Sequence, residues 1–141
     1  MKAKIKDIMS FEPATTKLLN YEWKSPKTSY NVFVVVNAVL EESKFFKIEK
    51  SKLFKKYGKA EGEVVKIKPE HISEFQKSID SLLELEVNIP NPEFTMDDVL
   101  SVNYVEQEET HTKVEKLTPM DMYRIETFLN NVKELNSPKQ E

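Results

Sequence analysis

Apolar residues recur at helical spacing through most of this chain, and the gaps between them divide it into segments. Ile5, Ile8, Met9, Leu18 and Leu19 surround a stretch over 4–20 that Pro13 interrupts, which predicts one or two short helices. Tyr21–Pro26 reads as a connector. Its Ser-Pro pair places a helix start just beyond, because a residue before Pro avoids the α region and Pro suits a first helical turn. No Gly or Pro then occurs until Gly58. Val32, Val36, Val39, Phe46, Leu53 and Tyr57 fall on a 3-4 spacing, with Ser43 and Lys50 as its polar members. The spacing predicts a long helix over 27–57. The β-branched run Val32–Val36 allows an alternative, a strand at 31–36 followed by a shorter helix.

Gly58 and Gly62 flank three residues and predict a loop with a sharp reversal. Val64, Val65 and Ile67 suggest a short extended piece. Glu70–Leu83 is the clearest helix, with Ile72, Phe75, Ile79 and Leu82 on one stripe. Leu83, Leu85, Val87 and Ile89 alternate with polar residues, the period of a half-buried strand, up to Pro90-Asn-Pro92. Thr95 with Asp98 suits the cap of a single turn. Val99–Val105 reads as a second strand pairing with 84–89, and Glu106–Thr112 as an acidic loop. Thr118-Pro-Met-Asp121 is a strong helix start, followed by a stripe of Met122, Ile125, Leu129 and Val132. Ser137-Pro138 opens a polar tail. The expected fold is α+β, mainly α, in a single domain over 1–141. It has an N-terminal helical segment and connector (4–26), a long central helix (27–57), a helix with a small antiparallel β element (63–105) and a C-terminal helix (118–135).

Composition narrows the chemistry. The 141 residues contain no Cys, which excludes disulfides, thiolate metal sites and cysteine nucleophiles. Two Gly cannot build a dinucleotide fingerprint or a phosphate loop. The longest apolar run, 32–40 with Asn37 inside it, is half the length that crosses a bilayer, and no signal-peptide pattern follows Met1. A cytoplasmic location is therefore expected. Twenty Lys accompany one Arg, Arg124, a poor supply for bidentate reading of guanine. The net charge of -3 conceals a division: residues 1–68 carry fifteen Lys against eight acids, and residues 69–141 six basic residues against sixteen acids. Fields of that kind act on encounter and partner choice rather than on fold.

Few groups offer catalysis. His71 sits near a helix N-terminus, where a charged imidazole is disfavoured. His111 follows Glu106, Glu108 and Glu109, a conceivable metal site that reads more simply as a solvated acidic loop. Asp97-Asp98 suits a helix first turn as well as phosphoryl transfer, and no Gly-x-Ser-x-Gly elbow occurs. No catalytic residue, metal, cofactor or small-molecule substrate is expected. The strongest positive signal is basic. Lys44, Lys47, Lys50, Lys52, Lys55, Lys56 and Lys59 lie within sixteen residues, opposed only by Glu49 and interleaved with Phe45, Phe46, Phe54 and Tyr57. Such a cluster is a solvated face whose stems cover apolar surface, a contact for an acidic protein or a second copy, or a phosphate contact. The candidate partner-binding residues are Lys44, Lys47, Lys52, Lys55, Lys56 and Lys59, with Tyr21 and Trp23 as aromatic anchors, although a loop Trp equally plugs a local core. The length of the central stripe further predicts self-association through the long helix.

Five motifs carry a family resemblance: Pro26-Lys-Thr-Ser-Tyr30, Lys55-Lys-Tyr-Gly58, Lys66-Ile-Lys-Pro-Glu-His-Ile-Ser-Glu-Phe-Gln-Lys77, Leu82-Leu-Glu-Leu-Glu-Val-Asn-Ile89 and Leu117-Thr-Pro-Met-Asp-Met122. Over residues 4–9 and 26–130 the chain resembles a family of small proteins encoded by phages and prophages of Gram-positive bacteria, domain of unknown function 1617. It departs from that family in the Val-rich 32–40 and in a longer 90–113. The resemblance supplies no catalytic or binding residue. It implies a non-enzymatic phage or prophage protein working by protein–protein interaction in the infected bacterial cell, of a host-takeover or anti-defence type. The alternatives are a virion or assembly component, connector or tail-associated, and a Lys-rich nucleic-acid-binding accessory protein.

Overall fold

Ser25 starts the dominant element of the fold. In the computed structural model, which describes residues 1–103 and 116–138, its backbone is extended and its Oγ accepts from the Thr28 N–H at 3.2 Å. Pro26 follows at the first helical position, where its missing N–H costs nothing. The Val-rich run then continues as helix, not strand. Val32, Val35, Val36 and Val39 are all buried, a spacing that only a helix brings to one face.

The chain runs β1 (Lys2–Lys4), α1 (Ile5–Leu18), α2 (Pro26–Tyr57), β2 (Gly58–Glu61), β3 (Val64–Ile67), a 3-10 turn (Pro69–His71), α3 (Ile72–Glu84), β4 (Glu86–Asn88), α4 (Met96–Asn103) and α5 (Pro119–Leu135). The expected class holds: α+β, mainly α, with one long helix and small antiparallel β elements. Helix α1 is central, packed on α2 along one side and α5 along the other. The rings of Phe11 and Phe128 stack with centroids 4.3 Å apart, and Ile5, Ile8, Leu18, Val36, Val39, Ile125 and Val132 complete a dry core. Trp23 closes one end. Its Nε1–H donates to the Leu18 carbonyl at 3.1 Å, and its ring lies against Phe94.

Four local expectations are corrected. Pro13 does not divide the first segment; α1 runs through it. Pro13 faces solvent, and burial of Ile8, Phe11, Ala14 and Leu18 on the opposite side outweighs the roughly 3 kcal/mol an internal Pro costs. Residues 99–103 are helix, not strand. Thr95 and Asp98 cap each other reciprocally, at 3.0 and 3.2 Å, and Val99 and Val102 turn inward one helical step apart. The strand at 86–88 pairs instead with β1, Ala3 opposite Val87. The Gly58 to Gly62 segment is a strand and turn rather than a loop. β2 and β3 form a hairpin with Glu61 opposite Val64, and Gly62 takes φ 65 at the first central position, where a tight hairpin turn requires Gly. Residues 104–105, the acidic stretch 106–112 and His111 lie outside the described residues.

Burial is uneven along α2. Its first half supplies buried residues down to Phe46, whereas no residue between Lys47 and Asn88 is buried. The second half of α2, the hairpin and α3 therefore make an arm. Inside it, Phe54 and Tyr57 meet Phe75, with centroids 5.0 and 6.5 Å apart, and Tyr57 meets His71. The upper part of the α2 stripe, Val32 to Phe46, is thus consumed by the chain's own core, which removes that stretch as a dimerisation seam.

Candidate functional site

Five of the six candidate lysines lie on the arm and Lys44 on α2 just before it, and their side chains are all exposed. They divide by environment. Lys47 donates to Glu12 of α1 at 3.2 Å, tying the base of the arm to the core helix. Lys52 bonds Glu49 at 2.8 Å, and Lys56 lies over the Tyr57 ring at 5.0 Å. Lys50 lies about equally far from the rings of Phe46 and Phe54, its stem covering apolar surface. Lys44, Lys55 and Lys59 have no carboxylate partner among the described residues.

Helical spacing joins the first two of these. Lys44, Ile48, Ser51 and Lys55 recur at i, i+4, i+7 and i+11, one row on the outer side of α2. Ile48 is 49% exposed in the middle of it. A shallow groove of about 440 Å³ runs beside this row, walled by Leu40, Lys44, Lys47, Ile48 and Ser51, with Glu12 opposite. Lys59 extends the positive surface onto the hairpin, where it stands directly across from Lys66. A cross-strand Lys–Lys pair repels, and only Lys66 is relieved, by Glu61 at 3.4 Å. The arrangement offers ammonium groups around an exposed apolar side chain, which suits an anionic, partly apolar surface.

The two aromatic candidates lie elsewhere. Tyr21 is 8% exposed and belongs to the core, and Trp23 is half-buried against Phe94. The structure does not bring them to the lysine row, and the plug reading of Trp23 is the one its hydrogen bond supports. Ile48 and Leu40 were the residues sequence reasoning missed. Their signal was the four-residue step from Lys44 to Ile48, visible only once the helix phase is known.

The perturbed carboxylates belong to the frame rather than the site. Glu84 is lowered from 4.5 to about 2 by hydrogen bonds from Lys4 and Lys6, each 2.8 Å away. Burial alone would raise Asp121, but the Lys17 ammonium at 2.7 Å and the Thr118 N–H hold it below the usual carboxylate range. Asp98 is held low in the same way, against its burial, by Lys24 and Thr95. Each fixes an element: β1 to the end of α3, α5 to α1, and α4 to the 21–26 connector. Among the described residues no three His, Asp or Glu side chains lie close enough to hold a metal ion, and no helix is long and apolar enough to cross a membrane.

Compared with known proteins, the chain matches no family model, no curated protein and no solved structure.

Proposed function

We propose that this is a non-enzymatic interaction protein, with the core as a scaffold and the arm as the recognition element. One observation carries the reading: Lys44 and Lys55 bracket an exposed Ile48 in a single row, and no carboxylate among the described residues neutralises either. A surface that leaves both charge and apolar area open gains on meeting an acidic protein with an apolar patch of its own. The motif resemblance adds the setting, a phage or prophage protein acting on a host or phage protein inside the infected cell.

The test is affinity capture from infected cells with the full chain and with a Lys44→Glu/Lys55→Glu/Lys59→Glu variant, each with and without nuclease. A protein recovered in fixed ratio by the wild type, retained after nuclease and lost with the variant, is the expected result. Equal recovery by both forms removes the lysine row. Recovery abolished by nuclease turns the reading to nucleic acid, with its steep dependence on salt. Fixed copy number in purified particles turns it to a virion component.

A further inference from the structure

A second groove opens on a different side of the arm, between α2 and α3. It holds about 400 Å³ and is lined by Glu49 and Leu53 of α2 and by Lys77, Ser78, Ser81 and Leu82 of α3, with Leu85 just beyond the helix end. Its floor is apolar, and Leu85 is 43% exposed. At about 100° per residue, Glu49 and Leu53 lie roughly 120–180° around α2 from Lys44 and Lys55, so this face is separate from the lysine row. The end of α2 from Lys47 on, the hairpin and α3, none of whose residues is buried, make a half-built bundle, whose remaining apolar surface another pair of helices would cover.

The charges identify the occupant. The α2 wall is basic at its edges: at about 100° per residue Lys50, Lys52 and Lys56 lie within roughly 80° of the groove direction, whereas Lys44, Lys47 and Lys55 face away and Lys59 stands on the hairpin. The α3 wall is acidic: Glu70, Glu74, Asp80 and Glu84 against Lys77 over 69–85. Within the groove the signs invert, since the acid Glu49 stands on the basic helix and the base Lys77 on the acidic one. A two-fold axis through the groove lays α2 of each copy beside α3 of the other. Both patterns are then satisfied together: basic helix meets acidic helix, and Glu49 of each copy meets Lys77 of its mate. Self-complementarity of this kind is what an isologous contact demands. Ser78 and Ser81 are small enough for close approach over the leucine floor. We propose that the protein forms a two-fold dimer, arm against arm, through the Leu53–Leu82–Leu85 groove, completing a four-helix bundle. The proposal goes beyond the function above and leaves the lysine row outward in both copies, presented twice.

The test is light scattering on the full chain, from low to high micromolar concentration. A mass of twice 16.5 kDa at the upper end is expected. Lys77→Glu and Glu49→Lys, each placing like charges across the axis twice, are expected to raise the dimer Kd by about tenfold or more. The double variant E49K/K77E, which restores opposite charges, is expected to return Kd towards wild type. Ser81 is exposed in the single chain, so Ser81→Trp leaves the fold intact by circular dichroism while blocking approach. A monomeric wild type overturns the proposal, as does a dimer indifferent to Ser81→Trp or single-variant losses that the double variant fails to rescue. None of these variants alters Lys44, Lys55 or Lys59, so capture of a partner by a monomeric chain would remove the dimer and leave the proposed function standing.

Discussion

Ser43 sits among Val36, Val39 and Phe46 on the buried side of α2, 1% exposed, and its Oγ has no hydrogen-bond partner among the described residues. A desolvated hydroxyl without a partner costs about 1–3 kcal/mol, and Ala has the better helix propensity. Ser43→Ala is therefore expected to hold or raise the melting temperature, and a fall of several degrees would show that the hydroxyl makes a bond after all. Asp121 is the opposite case, a buried carboxylate whose Oδ2 accepts two hydrogen bonds. It closes a capping box with Thr118 and takes the Lys17 ammonium at 2.7 Å. Asp121→Asn keeps the cap but loses the charge, at an expected cost of ~2 kcal/mol. The pH sign follows from the lowered pKa. The unfolded chain binds the proton more readily, so the contribution is complete above the ordinary carboxylate pKa of about 4 and is lost as pH falls below it. Urea midpoints measured between neutral and strongly acidic pH should fall less steeply for the Asn variant than for the wild type.

At the scale of elements, two residues hold segments that have little secondary structure of their own. Asn31 is a polar residue on the buried side of α2. Its Nδ2 donates to the Asn91 carbonyl at 2.9 Å, and its Oδ1 accepts from the Glu93 N–H at 2.8 Å. Asn31→Leu would orphan both backbone groups of the connector before α4, with an expected loss of ~2 kcal/mol by urea denaturation. Gly58 joins α2 to the hairpin at an ordinary φ of -96, so its role is space. A Cβ there would stand 2.4 Å from the Phe54 carbonyl oxygen and 2.5 Å from Val65 Cγ1. Gly58→Ala should cost ~1–3 kcal/mol and show as faster amide exchange in β2 and β3 with the core unchanged. The elements themselves were legible in proportion to how local their causes are. Helix α2 could be read because its cap, its lack of breakers and its stripe all lie within it. The strand at 86–88 could be seen but its partner could not, since Lys2–Lys4 has a single inward residue, Ala3, and lies at the other end of the pairing distance. Val99 and Val102 were ambiguous because a short apolar run fits either period, and the Thr95–Asp98 box, read as one turn, was in fact the start of two. The lysine cluster was legible, but which of its members are neutralised depends on Glu12 and Glu49, and the α2–α3 groove depends on α3 continuing to Glu84.

For the whole molecule, the unequal burial sets an order of opening. The core elements α1, α2 up to Phe46 and α5 hold most of the buried side chains, so their amides should exchange only through global unfolding. The arm is joined to them by the continuity of α2 and by a thin seam. That seam comprises, besides the Lys47–Glu12 pair and the packing of Leu82 and Leu83 on the core, the β1–β4 ladder, the Ile5 N–H to Leu85 carbonyl bond at 3.0 Å, and Glu84 held between Lys4 and Lys6. Both Glu84 ion pairs are half-exposed and contribute little on their own. The hairpin and α3 are thus expected to exchange through a partial opening, at a free energy below that of the core, while the core stays closed. Hydrogen exchange read by mass spectrometry, at rising denaturant, should show the arm peptides with a shallow denaturant dependence and the core peptides with a steep one. If a second copy covers the α2–α3 groove, the arm alone should also become more protected as protein concentration rises, since mass action stabilises only what the contact buries. One uniform exchange rate for arm and core at every concentration would mean that the arm is as firmly held as the helices it leaves, and that the division drawn from burial is not one the folded protein makes.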